Sequence, residues 1–187
     1  MLFYRKTDFK AWVLAWMMLF LGSMAHAGGI VMQDAKVQTT REGYFLDARF
    51  DLPLTPALES ALTHGVPLTF TLTMEVTEPR WYWFNRTVYS LRQERRISFN
   101  PLTREYRFTI GSLYLNFSTL DDALKALAQV SHQQFAVPGA LVPGRRYDIT
   151  AQLKLEISFL PKPFQVDALS SDDWNLQSTP WNGTLTP

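Results

Sequence analysis

No cysteine occurs anywhere in the 187-residue sequence. Disulfide frameworks, thiolate metal sites and cysteine nucleophiles are excluded together. Histidine is nearly as scarce, with three in the chain, and a zinc site needs three or four convergent ligands that the spacing of His64 and His132 does not supply. Charge of one sign is also lacking: 18 basic residues stand against 17 acidic ones, which argues against nucleic-acid binding. No GxSxG elbow, phosphate loop or dinucleotide glycine pattern is present. The apolar run AWVLAWMMLFL at Ala11–Leu21 has 11 residues. That is well short of the roughly 20 needed to span a bilayer.

What that run does resemble is the core of a secretory signal peptide. Arg5, Lys6 and Lys10 precede it, and Ala25-His26-Ala27 supplies the small-x-small cleavage pattern. The expectation is a signal peptide over residues 1–27, cleaved after Ala27, with an uncleaved anchor as the alternative. No cysteine follows the cleavage pattern, so lipid attachment there is excluded. The segment from Gly28 to Pro187 has 160 residues, enough for a single domain that buries about two-thirds of its unfolded surface without disulfide or metal. Export without disulfides fits a bacterial periplasm. The segment carries 15 basic and 16 acidic residues, unevenly spread. Seven arginines fall between Arg80 and Arg107, against Glu94 and Glu105.

Hydrophobic residues recur mostly with period two, the signature of strands with one buried face. Tyr44, Leu46, Ala48, Phe50 and Leu52 alternate with Phe45, Asp47, Arg49 and Asp51. Val66 to Val76 and Tyr147 to Phe159 alternate as cleanly. Weaker strands are expected at Ile30–Thr39, Arg80–Ser98, Tyr106–Ile110 and Leu113–Phe117, with a hairpin turn at Asn100-Pro101-Leu102-Thr103. Two short helices interrupt them. Thr55 caps the first, with Pro56 at its start and Gly65 past its end. Ser118 or Thr119 caps the second, whose stripe is Leu120, Ala123, Leu124, Leu127 and Val130. VPGALVPGRR at Val137–Arg146 reads as a loop, and a polar tail is expected from about residue 168. The pattern predicts a mainly β protein, an antiparallel β-sandwich of Ig-like general architecture with two short helices. A strongly bent sheet under a helix is the alternative.

The sequence carries little catalytic chemistry. Ser131 and His132 are neighbours in sequence, which does not make a triad, and Asp121-Asp122 suits a helix start. Asp172-Asp173 falls in the expected tail. His64, just before Gly65, suits the electrostatics of a helix end. No catalytic residue, metal ligand or cofactor is assigned. Attention falls instead on Trp81-Tyr82-Trp83-Phe84, between Arg80 and Arg86. On a strand, Trp81 and Trp83 point one way and Tyr82 and Phe84 the other, so four aromatics cannot share one core. Either the strand is buried on both faces, or one pair is exposed as a binding patch. The candidate binding residues are Arg80, Trp81, Trp83, Arg86, Tyr89, Arg92 and Arg96, of types that concentrate binding energy.

From Leu155 to Ser178 the chain reads LEISFLPKPFQVDALSSDDWNLQS. With the WYWF stretch and SFNPLTREYRF, this resembles a family of exported proteins of Gram-negative bacteria, domain of unknown function 4390. The resemblance covers nearly all of the chain after the leader. It brings no activity, cofactor or catalytic residue, but it implies a genomic neighbourhood beside a nitrogen-regulation type sensor kinase. The expectation is an exported periplasmic, non-catalytic binding module. Its partner would be an envelope protein, such as a membrane sensor kinase, with peripheral membrane contact as a further possibility. The alternatives are a small-ligand or carbohydrate receptor and a hydrolase with dispersed catalytic residues.

Overall fold

A computed structural model describes residues 29–187, so the expected leader lies outside the described residues. In chain order the elements are β1 (Val31–Thr40), β2 (Gly43–Asp51), α1 (Pro56–Thr63), β3 (Leu68–Glu78), β4 (Arg86–Asn100), β5 (Glu105–Ile110) and β6 (Leu113–Phe117). There follow α2 (Leu120–Ala128), β7 (Gln129–Ala136), β8 (Tyr147–Leu155), α3 (Lys162–Ser170) and β9 (Trp181–Leu185). They form two antiparallel sheets, one of order β1-β2-β7 and one of order β6-β5-β4-β3-β8-β9.

The cleanest alternation becomes the centre of the larger sheet. Leu68, Phe70, Leu72, Met74 and Val76 of β3 point inward and are buried. Leu153, Ala151 and Ile149 lie beside them on β8. Leu46, Ala48 and Phe50 of β2 and Val130 and Phe135 of β7 belong to the same hydrophobic core, which makes the two sheets a sandwich. Thr69 and Thr71 point to the opposite face and are buried as well. Their cross-strand neighbours Arg96, Glu94 and Lys154 are long enough to lie over them, and Arg96 Nε donates to Thr69 Oγ1 at 3.2 Å.

Both anticipated helices form, with the expected caps. Thr55 Oγ1 accepts from Leu58 N, and Thr119 Oγ1 accepts from Asp122 N. Gly65 takes a φ of +88° just past α1, the left-handed geometry that a glycine tolerates. The Asn100 turn joins β4 to β5, with Asn100 Oδ1 accepting from Leu102 N.

β8 stops at Leu155, short of Phe159, and three further elements differ from the expectation. β7 was not anticipated because its pairing with β2 shifts register twice, and His132 within it has a φ of +54°, so no regular alternation survives. A third helix, α3, forms at Lys162–Ser170, where the sequence pattern predicts none. Pro161 is its N-cap and Pro163 stands in its first turn, where the missing N–H costs nothing. The expected polar tail is built into the structure: Trp174, Leu176 and Ser178 are buried, and β9 pairs with β8.

One charge is enclosed between sheet and helix. Arg95, 4% exposed, lies on the inward side of β4. Its Nη1 donates to Leu127 O and Gln129 O, both at 2.7 Å, and its Nε and Nη2 reach Gln93 Oε1. It satisfies carbonyls at the C-terminal end of α2, where a positive charge also suits the helix dipole. Burial pulls its guanidinium down to about 10, so it stays charged at neutral pH.

Candidate functional site

The four aromatics lie on no strand. β3 ends at Glu78 and β4 begins at Arg86, and these two residues face each other across the ladder. The seven residues Pro79–Asn85 therefore form the loop of a long hairpin. Pro79 cannot donate to the ladder, which helps to end β3 there. Asn85 Oδ1 accepts from Arg80 N at 3.4 Å across the loop. Both readings made of a strand are corrected. Instead of two buried faces or one exposed pair, all four rings are exposed: Trp81 by 95%, Tyr82 by 65%, Trp83 by 70% and Phe84 by 84%. They meet in two pairs, edge to face, with centroids 5.3 Å apart for Trp81 and Tyr82 and 6.1 Å for Trp83 and Phe84.

The base of this hairpin is clamped by a buried carboxylate. Glu78 pairs with Arg86 at 2.6 Å and with Arg145, which arrives from the loop between β7 and β8. The hydrogen bond from Arg145 holds the Glu78 carboxyl below its ordinary value, helped by the charges of both arginines and opposed by burial. Glu78 in turn raises the Arg145 guanidinium, with smaller contributions from Tyr147 and Tyr82. The shared loop is itself anchored, since Val142 N donates to Tyr147 Oη at 2.9 Å. Arg80, Arg86, Arg145 and Arg146 thus stand around the foot of the aromatic tip. Their acidic neighbours are Glu78, sunk beneath them, and Asp148, bound by Arg146 at 3.0 Å.

A carboxylate whose folded-state pKa is lowered contributes stability above its unfolded pKa and loses it as pH falls through the folded value. Acidification below about pH 4.5 is therefore expected to loosen the hairpin base. The protection factors of amides in β3 and β4 near Glu78, which are relative to the intrinsic exchange rate at each pH, should fall there in the wild type. In Glu78→Gln that protection should already be low at neutral pH and change little on acidification. Equal protection in both proteins at pH 7 would contradict the clamp.

A match to the family model of a domain of unknown function, DUF4390, runs over residues 27–183. The chain belongs to the DUF4390 family. Neither a curated protein nor a solved structure matches it.

In this DUF4390 domain the seven candidate residues separate into groups. Arg80, Trp81, Trp83 and Arg86 gather at the hairpin tip. Tyr89 does not join them: it packs on Phe135 on the inner side and its hydroxyl is 3.4 Å from Gln133 Nε2. It also lines an apolar cleft of about 330 Å³ with Val76, Val88, Phe135, Val137 and Leu141. Arg92 and Arg96 lie on the outer face of β4. Arg96 is separated from Arg86 by ten residues of strand, roughly 33 Å of extended chain. Arg92 pairs with Glu156 at 2.8 Å, and both arginines border a shallow groove of about 600 Å³ with Glu94, Thr109 and Leu113. Neither the cleft nor the groove is lined by the four aromatics.

Glu78 and Arg145 of the DUF4390 domain were not among the candidates. Arg145 lies 59 positions beyond Arg86 in the sequence, so no local pattern links them. The histidines stay apart from this site. His64 Nδ1 lies 2.7 Å from Ser60 O at the end of α1. The His132 ring stacks on Phe45, and it is its main-chain N–H that meets Asp47 Oδ1, at 2.6 Å. Among the described residues no group of three or more metal-ligating side chains converges, and no helix is long and apolar enough to cross a membrane.

Proposed function

We propose that this chain is an exported, periplasmic, non-catalytic binding module of a Gram-negative envelope, working beside a membrane protein of the sensor-kinase type. The hairpin tip is its binding element. One observation carries the reading: Trp81–Phe84 stand exposed at the end of a hairpin whose base is locked by buried Glu78 between two arginines. Four exposed aromatics in a row are costly in a solvated loop unless something covers them. Clamping their support from two strands and a second loop lowers the ordering cost of binding.

The receptor and hydrolase alternatives draw less support. The aromatics are outside the apolar cleft that a small ligand would enter, and the Asp47 carboxylate meets the backbone of His132 and not its ring. A photo-crosslinking residue placed at Tyr82 in the exported protein should capture envelope components. Trp81→Ala with Trp83→Ala should weaken the association by about thirtyfold or more, since an interfacial Trp is typically worth about 2 kcal/mol or more. A double variant that keeps its thermal midpoint and its crosslinks undiminished would remove the tip as the binding element.

A further inference from the structure

We infer that the occupant of the tip is the interfacial region of an anionic lipid bilayer, into which Trp81, Tyr82, Trp83 and Phe84 insert while the arginines at their foot meet the headgroups. This rests on the reading of the tip as a binding element and names what it binds. Three observations favour lipid over a protein pocket or a sugar.

The first is the arrangement of the rings. Their two edge-to-face contacts are tilted by 72° and 81°, so neither pair presents a common plane. A sugar stacks on a ring face flanked by hydrogen-bonding groups, and a protein pocket encloses one or two anchors in fixed rotamers. A fluid interface conforms to rings that share no plane.

The second is the choice of side chains. Two tryptophans and a tyrosine, each an apolar body with a polar edge, are the residues that settle at the level of lipid headgroups, and Phe84 supplies a wholly apolar companion.

The third is charge. Arg80, Arg86, Arg145 and Arg146 surround the foot of the tip, whereas Glu78 and Asp148 are both engaged with arginine. The collar keeps an excess of positive charge for phosphate-bearing headgroups, in the manner of basic segments beside membranes. Insertion needs no folding step, because the hairpin is already held open from its base.

The test uses the chain from Gly28, which contains every described element and the whole described core, so that the apolar run at Ala11–Leu21 cannot itself bind lipid. Vesicles of phosphatidylethanolamine with phosphatidylglycerol should take up this protein by co-flotation, and phosphatidylcholine vesicles far less. Acyl-chain bromination should quench the tryptophan fluorescence. Trp81→Ala, Trp83→Ala and Phe84→Ala together should reduce partitioning by more than about tenfold. Arg80→Gln with Arg146→Gln should reduce it on anionic vesicles only, and raised salt should act likewise. The substituted side chains are exposed or half-buried, and an unchanged thermal midpoint confirms that each variant is folded. Failure to bind anionic vesicles, with Tyr82 crosslinks to an envelope protein intact, would overturn the lipid assignment and leave the tip as a protein-docking element. Failure of both would remove the binding reading as well. Lipid binding that survives loss of the aromatics would assign it to another surface and equally overturn the inference.

Discussion

A chain that ends at Ala168 is expected to fail to hold the native fold. The deleted residues include Trp174 and Leu176, both buried in the common core. They also include Ser178, whose Oγ accepts from Leu153 N at 3.1 Å and whose N donates to Leu153 O at 2.8 Å. Leu155 N loses Leu176 O, and β8 loses the whole of β9 along its free edge. At the other end of the segment, Asp173 O accepts from Thr55 Oγ1 at the start of α1, and the Trp174 ring packs 5.5 Å from Phe164. Truncating a buried Trp costs about 3–5 kcal/mol and a buried Leu about 2–5. Together they rival the total stability of about 5–15 kcal/mol typical of a domain. Urea unfolding followed by circular dichroism should show no cooperative transition for the truncated chain. A transition with the same midpoint as the full chain would show that these contacts are dispensable.

Replacement of Arg95 with alanine is expected to cost about 3–5 kcal/mol, because two carbonyls and a glutamine oxygen lose their donor at about 1–3 kcal/mol for each group left unsatisfied. The reason is local. Leu127 O would be left buried and Gln129 O part-buried without the guanidinium, and Gln93 would lose its partner. For a domain of this length the thermal midpoint should fall by roughly 10 °C. Arg95→Lys should recover only part of the loss, because one ammonium cannot span two carbonyls and a glutamine oxygen as the planar guanidinium does. A change in the alanine variant within about 0.5 kcal/mol, the size of an ordinary surface substitution, would mean that water replaces the guanidinium.

Arg95 also marks how far a one-dimensional pattern reaches. It shares the alternation of Leu91, Gln93 and Ile97, opposite Arg92, Glu94 and Arg96, and that register is the one that forms. The side of the strand was legible. That a charge could stay on the inner side was not, because the carbonyls that accept it belong to α2 and β7, more than thirty residues away. The WYWF stretch shows the converse error. Its aromatic composition resembled a strand, yet pairing of Glu78 with Arg86 turns it into a loop, and that pairing depends on contacts along the full length of β3 and β4. Arg145 reaches Glu78 only because β8 lies beside β3.

The sequence by itself determined the strand-rich class, the two capped helices, the alternating core of β2, β3 and β8, and, by resemblance, membership of the DUF4390 family. Each is a property of residues close together in the chain, where side-chain period and backbone capping act directly. The tertiary structure alone decided that the aromatics project into solvent, that two distant arginines share one buried carboxylate, and that an apparently polar tail completes the core. These depend on which strands become neighbours, and strand neighbours are chosen by burial of the whole apolar surface at once.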